Sequence, residues 1–402
     1  MSFAAVISAA APRRALTSAH SPRRRVLAPI ALAMLAACSG HSVARDRDAP
    51  DQRVAVRVKV PDQFRHPGIF ATQTRLDTFK AAANSGNPSV MKTGYGAVTA
   101  DSRSEYSYQH HALVDVEVVG GAIGPEEARY KNDAMAAYLN ALRWVKTGNN
   151  QHRDRSVMIL NDWARTFRSF SVAQGTDSAQ TQLEAAWMLP VWVSAAEIIR
   201  HYNNGQAGWS QADISTFNGF VDRQYSYAEK ARTRVNNWAV SAGLAMMAAG
   251  VYQDNKSRYS AGLQRLTEMI PLSVFSSGEV NELRDRDCTH PQYNLEGLSQ
   301  GAEMATIQGD TSVWLYQPQG ETKPRLAKGL EYMANSLRLG QGVRDCRGAT
   351  LEAGYMDIAV NGYMNRGVPI PNFQTLSKER RPDKSSMQFL GWTTATHGRD
   401  DY

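Results

Sequence analysis

The chain has 402 residues, of which 43% are hydrophobic and 21% are charged, and its formal net charge is +7. Residues 1–38 contain five arginines and no acidic residue, so the rest of the chain carries only +2 (7 − 5). Nucleic-acid-binding domains carry a clustered cationic surface, so this small charge argues against a nucleic-acid partner and leaves anion binding to a local pocket.

Residues 1–38 have the pattern of a bacterial lipoprotein signal peptide. Three arginines precede an apolar run from Val26 to Ala37, and the run ends in the lipobox LAAC. We expect cleavage before Cys38 and lipidation of Cys38, which predicts a periplasmic protein anchored to the outer membrane. The alternatives are an ordinary signal peptide cleaved near Ala37, giving a secreted or cell-surface protein, and an uncleaved anchor, for which the run is short. Polar residues 39–60 predict a flexible tether.

Two segments show the periodicity of helices with one apolar and one solvent-facing side. In DAMAAYLNALRWVKTG (residues 133–148) apolar residues recur every three or four positions, and the final glycine is a typical C-cap. SVMILNDWARTFRSF (residues 156–170) repeats the pattern. Both segments are predicted to be amphipathic helices.

Two other segments are apolar on every side. WAVSAGLAMMAAGVY (residues 238–252) has no charged residue, and LEAAWMLPVWVSAAEII (residues 183–199) is nearly as apolar. Such helices must be covered all round. Their alternation with amphipathic helices predicts an all-α fold over residues 61–402, an (α/α) toroid of antiparallel helix hairpins around a central cleft. Residues 368–402 are predicted to be an irregular tail that wraps the toroid.

The stretch NELRDRDCTHPQYNLEGL (residues 281–298) places several polar groups directly before an apolar helix. Pro291 is favoured at the start of a helix, which puts His290 near the N-cap and Tyr293 in the first turn. In the same way, Asn236 and Asn237 are capping residues before the apolar segment at 238–252.

Inner helices of a toroid run parallel to one another, so their N-termini meet at one rim. Unpaired N–H groups and helix dipoles make that rim favourable for a carboxylate or phosphate. Arg286 adds a bidentate donor. The sequence therefore predicts a site for an acidic substrate.

These residues suit β-elimination in a polymer of uronic acids. In that reaction the carboxylate on C5 is neutralised, the C5 proton is removed and the glycosidic oxygen on C4 leaves with a proton. Asn237 and Arg286 can hydrogen-bond the carboxylate. Tyr293 is assigned as the acid/base that serves the leaving oxygen, and His290 as base or carboxylate partner. The pKa of tyrosine is about 10, so Tyr293 needs a nearby cation and the positive end of a helix dipole to act as a base.

Each group also has a structural interpretation: Asn237 as a helix cap, His290 paired with Asp287, Tyr293 in packing, and Arg286 in an ion pair with Asp285 or Glu282. Substrate binding is further assigned to Asn236, Trp238, Gln182, Glu282 and Trp187. No metal and no cofactor is expected.

Two cysteines follow Cys38, each in the local pattern RDC. In an oxidising periplasm we expect a disulfide between Cys288 and Cys346. A reactive thiol or a metal ligand is the alternative, but no His/Cys spacing supports it.

The segments NNWAVSAGLAMMAAGV and ELRDRDCTHPQYNLEGLSQGAEMATIQGD resemble the alginate lyase family of polysaccharide lyases. HPGIF, QLEAAWMLPVWVSAAEIIRHY and RRPDKSSMQFLGWTTATH are similar to the same family. The resemblance implies a helical toroid that cleaves an acidic polysaccharide without a metal; we expect a monomer. The polymer, whether alginate, glucuronan or another polyuronate, stays open.

In that family an asparagine followed by a histidine begins one inner helix, and an arginine is followed seven residues later by the acid/base tyrosine. Asn237, Arg286 and Tyr293 match this pattern. Trp238 stands where the family has histidine. Either His290 supplies the missing imidazole or Trp238 stacks on a sugar ring.

Two other functions remain open. An inverting glycoside hydrolase on the same toroid would use a carboxylate pair, either Glu282 with Asp285 or Glu352 with Asp357. A non-catalytic polysaccharide-binding lipoprotein would instead stack sugars on tryptophans, namely Trp187, Trp238 and Trp392.

Overall fold

The computed structural model describes residues 58–384 and 387–402. The predicted signal peptide, Cys38 and residues 39–57 of the predicted tether lie outside these described residues. Within the described part of the chain, every helix falls short of the length or hydropathy that a membrane crossing needs.

The helices form two layers, and this confirms the predicted toroid. Inner helices contact one another in chain order, and an outer helix that packs against the inner layer follows each of them. The inner helices are α3 (Pro125–Thr147), α5 (Gln180–His201), α7 (Asn237–Tyr252), α9 (His290–Ile307) and α12 (Met356–Met364). The outer helices are α4 (Asn150–Thr166), α6 (Gln211–Ala228), α8 (Lys256–Ser273), α11 (Arg325–Leu339) and α13 (Pro371–Arg380), with the short α10 (Ser312–Leu315) between α9 and α11.

Helices from both ends of the described chain complete the ring. They are α1 (Gln73–Asn84), α2 (Val90–Ala100) and α14 (Thr393–His397). Helix α14 contacts α12, α1 and α2, and α1 contacts α3, so the contacts run around a closed circuit.

Helix α3 is an inner helix, and the prediction of one solvent-facing side was wrong for it. Its polar side chains can be buried because other groups inside the protein form hydrogen bonds with them. Asp133 accepts hydrogen bonds from the Tyr108 hydroxyl and the Trp163 indole, each at 2.8 Å. Asn140 lies within 2.8 Å of His152 Nδ1. The amphipathic prediction is correct for α4, where buried and exposed positions alternate along the helix.

Helices α5 and α7 are buried along almost their whole length, as predicted from their lack of charge. Small residues allow the close approach of α7 to its outer neighbour α8. A Cβ atom on Gly250 would lie 2.4 Å from the backbone nitrogen of Tyr259, closer than any van der Waals contact. Glycine at this position therefore sets the packing distance between the two layers.

Two short strands and the helices of the tail were not predicted. β1 (Asp115–Val118) pairs in parallel with β2 (Ser169–Val172), in the register Asp115 to Ser169. The tail is more ordered than predicted because it contributes α13 and α14, and residues 389–397 are buried.

The segment before α1 lies at the rim opposite the N-termini of α5, α7 and α9. The backbone nitrogen of Arg65 donates to Gln308 Oε1 at 2.9 Å, just beyond the end of α9. His66 contacts Glu197 in the last turns of α5 and Asp254 after the end of α7. Val58 and Val60 pack against the hydrophobic core.

Candidate functional site

The predicted rim forms where α7 and α9 begin side by side. Asn236 is the N-cap of α7, and its side chain accepts a hydrogen bond from the nitrogen of Trp238 at 3.3 Å. Because Asn236 performs the capping, the side chain of Asn237 is released for other contacts. Helix α9 begins at His290 and is capped by Asp287, whose Oδ1 accepts from the nitrogens of Thr289 and His290 at 2.8 and 2.9 Å.

One carboxylate, that of Glu282, joins the two helices to the loop between them. Its Oε2 accepts from the backbone nitrogen and Nδ2 of Asn237 at 3.2 and 2.9 Å, and from Asn294 Nδ2 at 3.2 Å. Its Oε1 pairs with Arg286 Nη1 at 2.7 Å. Glu282 has a positive φ of 71°, a conformation that side chains other than glycine rarely adopt and that persists when surrounding contacts hold it.

The geometry of Glu282 favours an orienting role over direct substrate contact. Both carboxylate oxygens are taken up by protein donors, and the side chain is only 10% exposed. A free negative charge here would also repel a uronate. Glu282 instead holds Arg286 and Asn237 in fixed positions.

His290 and Asp287 form an imidazole–carboxylate pair. Nδ1 of His290 lies 2.6 Å from Asp287 Oδ2. A carboxylate at Nδ1 favours the tautomer with the proton on that nitrogen, which leaves the lone pair of Nε2 free to accept a proton. The structural pairing and a role as base are therefore compatible.

Tyr293 lies beneath this rim, with its ring 8% exposed. Ring centroids of His290, Trp187 and Phe389 are 5.4, 5.7 and 5.9 Å away, so the phenol is held by aromatic edges. Burial raises the pKa of Tyr293, the negative charges of Glu352, Glu296 and Asp287 raise it further, and Arg286 opposes them only weakly. The cation Arg286 therefore does not bring this pKa below its ordinary value, and the phenol keeps its proton without substrate.

Solvent access differs among the four predicted catalytic residues, Asn237, Arg286, His290 and Tyr293. The side chains of Arg286 and His290 are 45% and 25% exposed, whereas Asn237 is fully buried. Among the described residues, Oδ1 of Asn237 has no hydrogen-bond partner although it is buried. Most buried acceptors are hydrogen-bonded, so this atom is an exception, and its burial keeps it from direct contact with a ligand at the rim.

The aromatic residues assigned to substrate binding separate into two groups. Trp238 lies near the rim, with the Arg234 guanidinium 4.7 Å from its ring centroid, and Trp187 is half-buried next to Tyr293. Gln182 is also half-buried, in the first turn of α5. Trp392 is 1% exposed beneath Arg103, so it cannot stack on a sugar, and that part of the binding hypothesis was wrong.

Cys288 and Cys346 form a disulfide with Cα atoms 5.7 Å apart. The bond ties the loop after α11 to the residue two positions before His290. Gln292 reinforces this link, because its Nε2 donates to the carbonyl of Thr350 at 2.9 Å and its Oε1 accepts from the nitrogen of Glu352 at 3.0 Å.

A buried ion pair near Tyr293 was missed. Lys131 on α3 is fully buried and lies 2.7 Å from Glu184 Oε2, with its Nζ 5.0 Å from the centroid of Trp187. The signal was present in the sequence, since Glu184 interrupts the apolar run of α5 and a charge in such a helix requires a partner. Its partner comes from another helix, which periodicity does not reveal.

In each carboxylate pair considered for hydrolysis, one acid is already bound by protein groups. Asp357 is buried and paired with Arg381 at 2.5 Å, and its second oxygen accepts from Thr394 at 2.7 Å. An acid bound in this way has no access to a glycosidic bond. Glu282 is equally committed to its protein donors.

Comparison with known proteins agrees with this architecture. The family model described as alginate lyase matches residues 119–342. Alginate lyase A1-III from Sphingomonas species A1 superposes with a TM-score of 0.56 at 13% identity, covering 76% of this chain and 91% of that one. An alginate lyase from Bacteroides ovatus gives a TM-score of 0.60 at 11% identity, covering 81% and 97%. No curated protein sequence matches the chain significantly.

The fold and the rim together define a helical-toroid protein of the polysaccharide lyase class. The family match extends over more than half of the chain and includes α3 to α11, with Asn237, Arg286, His290 and Tyr293. The chain belongs to the alginate lyase family.

Proposed function

We propose that this protein cleaves an acidic polyuronate by β-elimination and leaves a 4,5-unsaturated uronate at the new end. The observation that carries the proposal is the Glu282 carboxylate, which fixes Asn237 and Arg286 at the same rim as His290 and Tyr293. Family membership supports the reaction type, and a variant of alginate lyase A1-III complexed with a tetrasaccharide superposes with a TM-score of 0.51 at 14% identity, covering 72% of this chain and 91% of that one.

The first step is binding of the uronate carboxylate. Arg286 has Nη1 on Glu282 and Nε 3.9 Å from Asp287 Oδ2, and its side chain is 45% exposed, so Nη2 is the nitrogen offered to a substrate carboxylate. The N-termini of α7 and α9 add positive poles. Asn237 is fully buried and donates from Nδ2 to Glu282, so it acts by holding Glu282, and through it Arg286, rather than by the direct hydrogen bond to the substrate expected from the sequence.

Proton transfer is assigned from the contacts of the two rings. Nε2 of His290 accepts the C5 proton, and the electron pair of that bond forms the C4–C5 double bond. The bond from C4 to the glycosidic oxygen breaks, and that oxygen takes the phenolic proton of Tyr293. This order uses each group as the structure prepares it, because Asp287 orients the imidazole and burial keeps the phenol protonated.

The sugar ring adjoining the reactive one is expected to contact Trp238 and Trp187. Trp238 replaces the histidine of the family pattern, and its ring already carries Arg234 on one face. A substrate that displaces Arg234 would stack on that face, while the guanidinium remains close to an acidic polymer.

A panel of purified polyuronates tests the proposal through the ultraviolet absorbance of unsaturated product. Tyr293→Phe and His290→Ala are each expected to lower turnover by roughly 10²–10⁴-fold, the usual share of a general acid or base. The control is Tyr225→Phe, a change on the outer helix α6. Full activity in both site variants would refute the assignment, and new reducing ends without unsaturated product would indicate hydrolysis instead.

We also propose a periplasmic location with a lipid anchor at Cys38. The support is the arginine-rich start, the apolar run and the lipobox LAAC in residues 1–38. Palmitate should label the wild-type protein in cells and should not label Cys38→Ser. Equal labelling of both proteins would contradict lipidation at Cys38, and unlabelled protein cut near Ala37 would indicate an ordinary signal peptide.

A further inference from the structure

A cluster of metal-ligating side chains lies at the rim opposite the proposed catalytic residues. It consists of His66 from the segment before α1, and Glu197 and His201 from the last two turns of α5. One nitrogen or oxygen atom from each side chain lies within 4.8 Å of the others. Helix α7 has 16 residues and spans about 24 Å at 1.5 Å per residue, which separates this rim from Asn237.

We propose that His66, Glu197 and His201 bind one divalent transition-metal ion of the zinc type. Two imidazoles and a carboxylate are a donor set that Zn²⁺ accepts, with solvent in the fourth position. Ligand atoms around a tetrahedral zinc are about 3.3 Å apart, given bonds of about 2.0–2.2 Å. The ligand atoms lie within 4.8 Å of one another, so zinc binding requires the cluster to contract.

Two buried atoms in this cluster have no hydrogen-bond partner among the described residues. They are Oε2 of Glu197 and Nε2 of His201, which face each other at 3.8 Å, too far for a hydrogen bond. Glu197 is only 1% exposed, so its unsatisfied oxygen is costly to bury. A cation between these two atoms would satisfy both at once.

The third ligand is already oriented by an outer partner. Nδ1 of His66 lies 2.5 Å from Glu197 Oε1, and its Nε2 lies 3.1 Å from Asp254 Oδ1. At 2.5 Å a proton must lie between Nδ1 and the Glu197 carboxylate, and zinc would take the place of that proton while Asp254 keeps accepting from Nε2. Metal-binding histidines commonly have a carboxylate on the second ring nitrogen in this way.

The surroundings also favour a cation. The C-terminal ends of α5 and α7 meet here, and helix C-termini carry partial negative charge. Glu197 and Asp254 together supply two negative charges, which balance a divalent ion. The rings of His66 and His201 stack with centroids 4.3 Å apart and planes 17° from parallel, so one ring must rotate for the lone pairs of both to meet at one ion.

The ion would connect parts of the chain that are far apart in sequence. His66 belongs to the segment that crosses the ends of α5, α7 and α9, and the metal would fix this segment to α5. The expected consequence is stability of this rim, independent of the cleavage chemistry at the other one.

The test uses the purified full-length protein, stripped with a chelator and titrated with ZnCl₂ in a calorimeter. We expect one equivalent to bind and the melting temperature to rise by several degrees, with no response to MgCl₂. Glu197→Gln and His201→Asn should each weaken zinc binding at least tenfold and remove the thermal shift. The matched control is His111→Asn, an exposed histidine on another part of the surface.

Absence of zinc binding to the wild-type protein at micromolar concentration would overturn the proposal, as would equal binding by wild type and both variants. Zinc X-ray absorption on the wild-type protein needs no folded variant. Two imidazoles in the coordination shell support the site, and a shell without imidazole refutes it. Lyase activity that persists after stripping would show that the ion acts away from the cleavage site, and activity that requires zinc would refute this placement.

Discussion

The substitution Asp287→Asn tests the role of His290 as base without removing its imidazole. Asp287 makes two kinds of contact, since Oδ1 caps α9 and Oδ2 lies 2.6 Å from His290 Nδ1. Asparagine keeps an oxygen for the cap but places an amide NH₂ against the imidazole. The imidazole must then accept at Nδ1, which moves its own proton to Nε2 and prevents Nε2 from acting as a base.

The expected loss of turnover is large and the expected loss of stability is small. A general base contributes roughly 10²–10⁴-fold to rate, so kcat should fall by that factor. The Asp287 side chain is 42% exposed, and ion pairs this open to solvent contribute about 1 kcal/mol or less to folding. KM should change little, because Arg286 keeps its contact with Glu282.

The assay follows unsaturated product by ultraviolet absorbance, and urea unfolding measures stability. Asp162→Asn is a matched control, because Asp162 Oδ2 also lies 2.6 Å from a histidine nitrogen, in His110. Turnover within threefold of wild type in Asp287→Asn would refute the role of His290 as base. An equal loss in the control would show that the effect is general.

Three further outcomes are expected. In Glu282→Gln, one amide oxygen must serve the donors that now bind two carboxylate oxygens, so we expect the free energy of unfolding in urea to fall by about 1.5–3 kcal/mol and KM to rise. The exposed control Glu117→Gln should leave both values unchanged. Unchanged values in Glu282→Gln would contradict its orienting role. Replacing both Cys288 and Cys346 by alanine opens a loop of 58 residues. This should lower the free energy of unfolding by about 4 kcal/mol. Wild-type stability in the double variant would show that the disulfide is dispensable. Burial raises the pKa of Asp383 from 3.8 to about 6. The folded chain therefore holds a proton that the unfolded chain has lost, and stability should fall by about 3 kcal/mol as pH rises through this window; Asp383→Asn should lack this slope, and an equal slope would assign it to another group.

The parts of the fold that the sequence predicts are those set by local pattern. The apolar runs in α5 and α7 indicate helices covered on all sides. Pro291 and Asn236 mark the starts of α9 and α7. These local signals were sufficient to bring four site residues to one rim. The rim could be predicted because parallel inner helices must begin at the same end.

The parts that the sequence did not predict depend on partners distant in the chain. Helix α3 was predicted to be amphipathic because Asp133 and Asn140 look solvent-facing until their partners Trp163 and His152 are placed beside them. The rise in the pKa of Tyr293 depends on burial and on Glu352, which lies in a loop after α11. His66 and Glu197 are separated by 131 positions, and no spacing rule links them.

The sharing of Glu282 among three residues, Asn237, Arg286 and Asn294, also constrains how this rim can diversify. A change at Arg286 alone leaves a buried negative charge without its counter-ion, and a change at Asn237 or Asn294 removes a hydrogen bond from the same oxygen. Residues that contact one group do not contribute independently to free energy. Altered specificity is therefore expected to arise through concerted replacement of these positions, and libraries that vary them one at a time would miss the functional combinations.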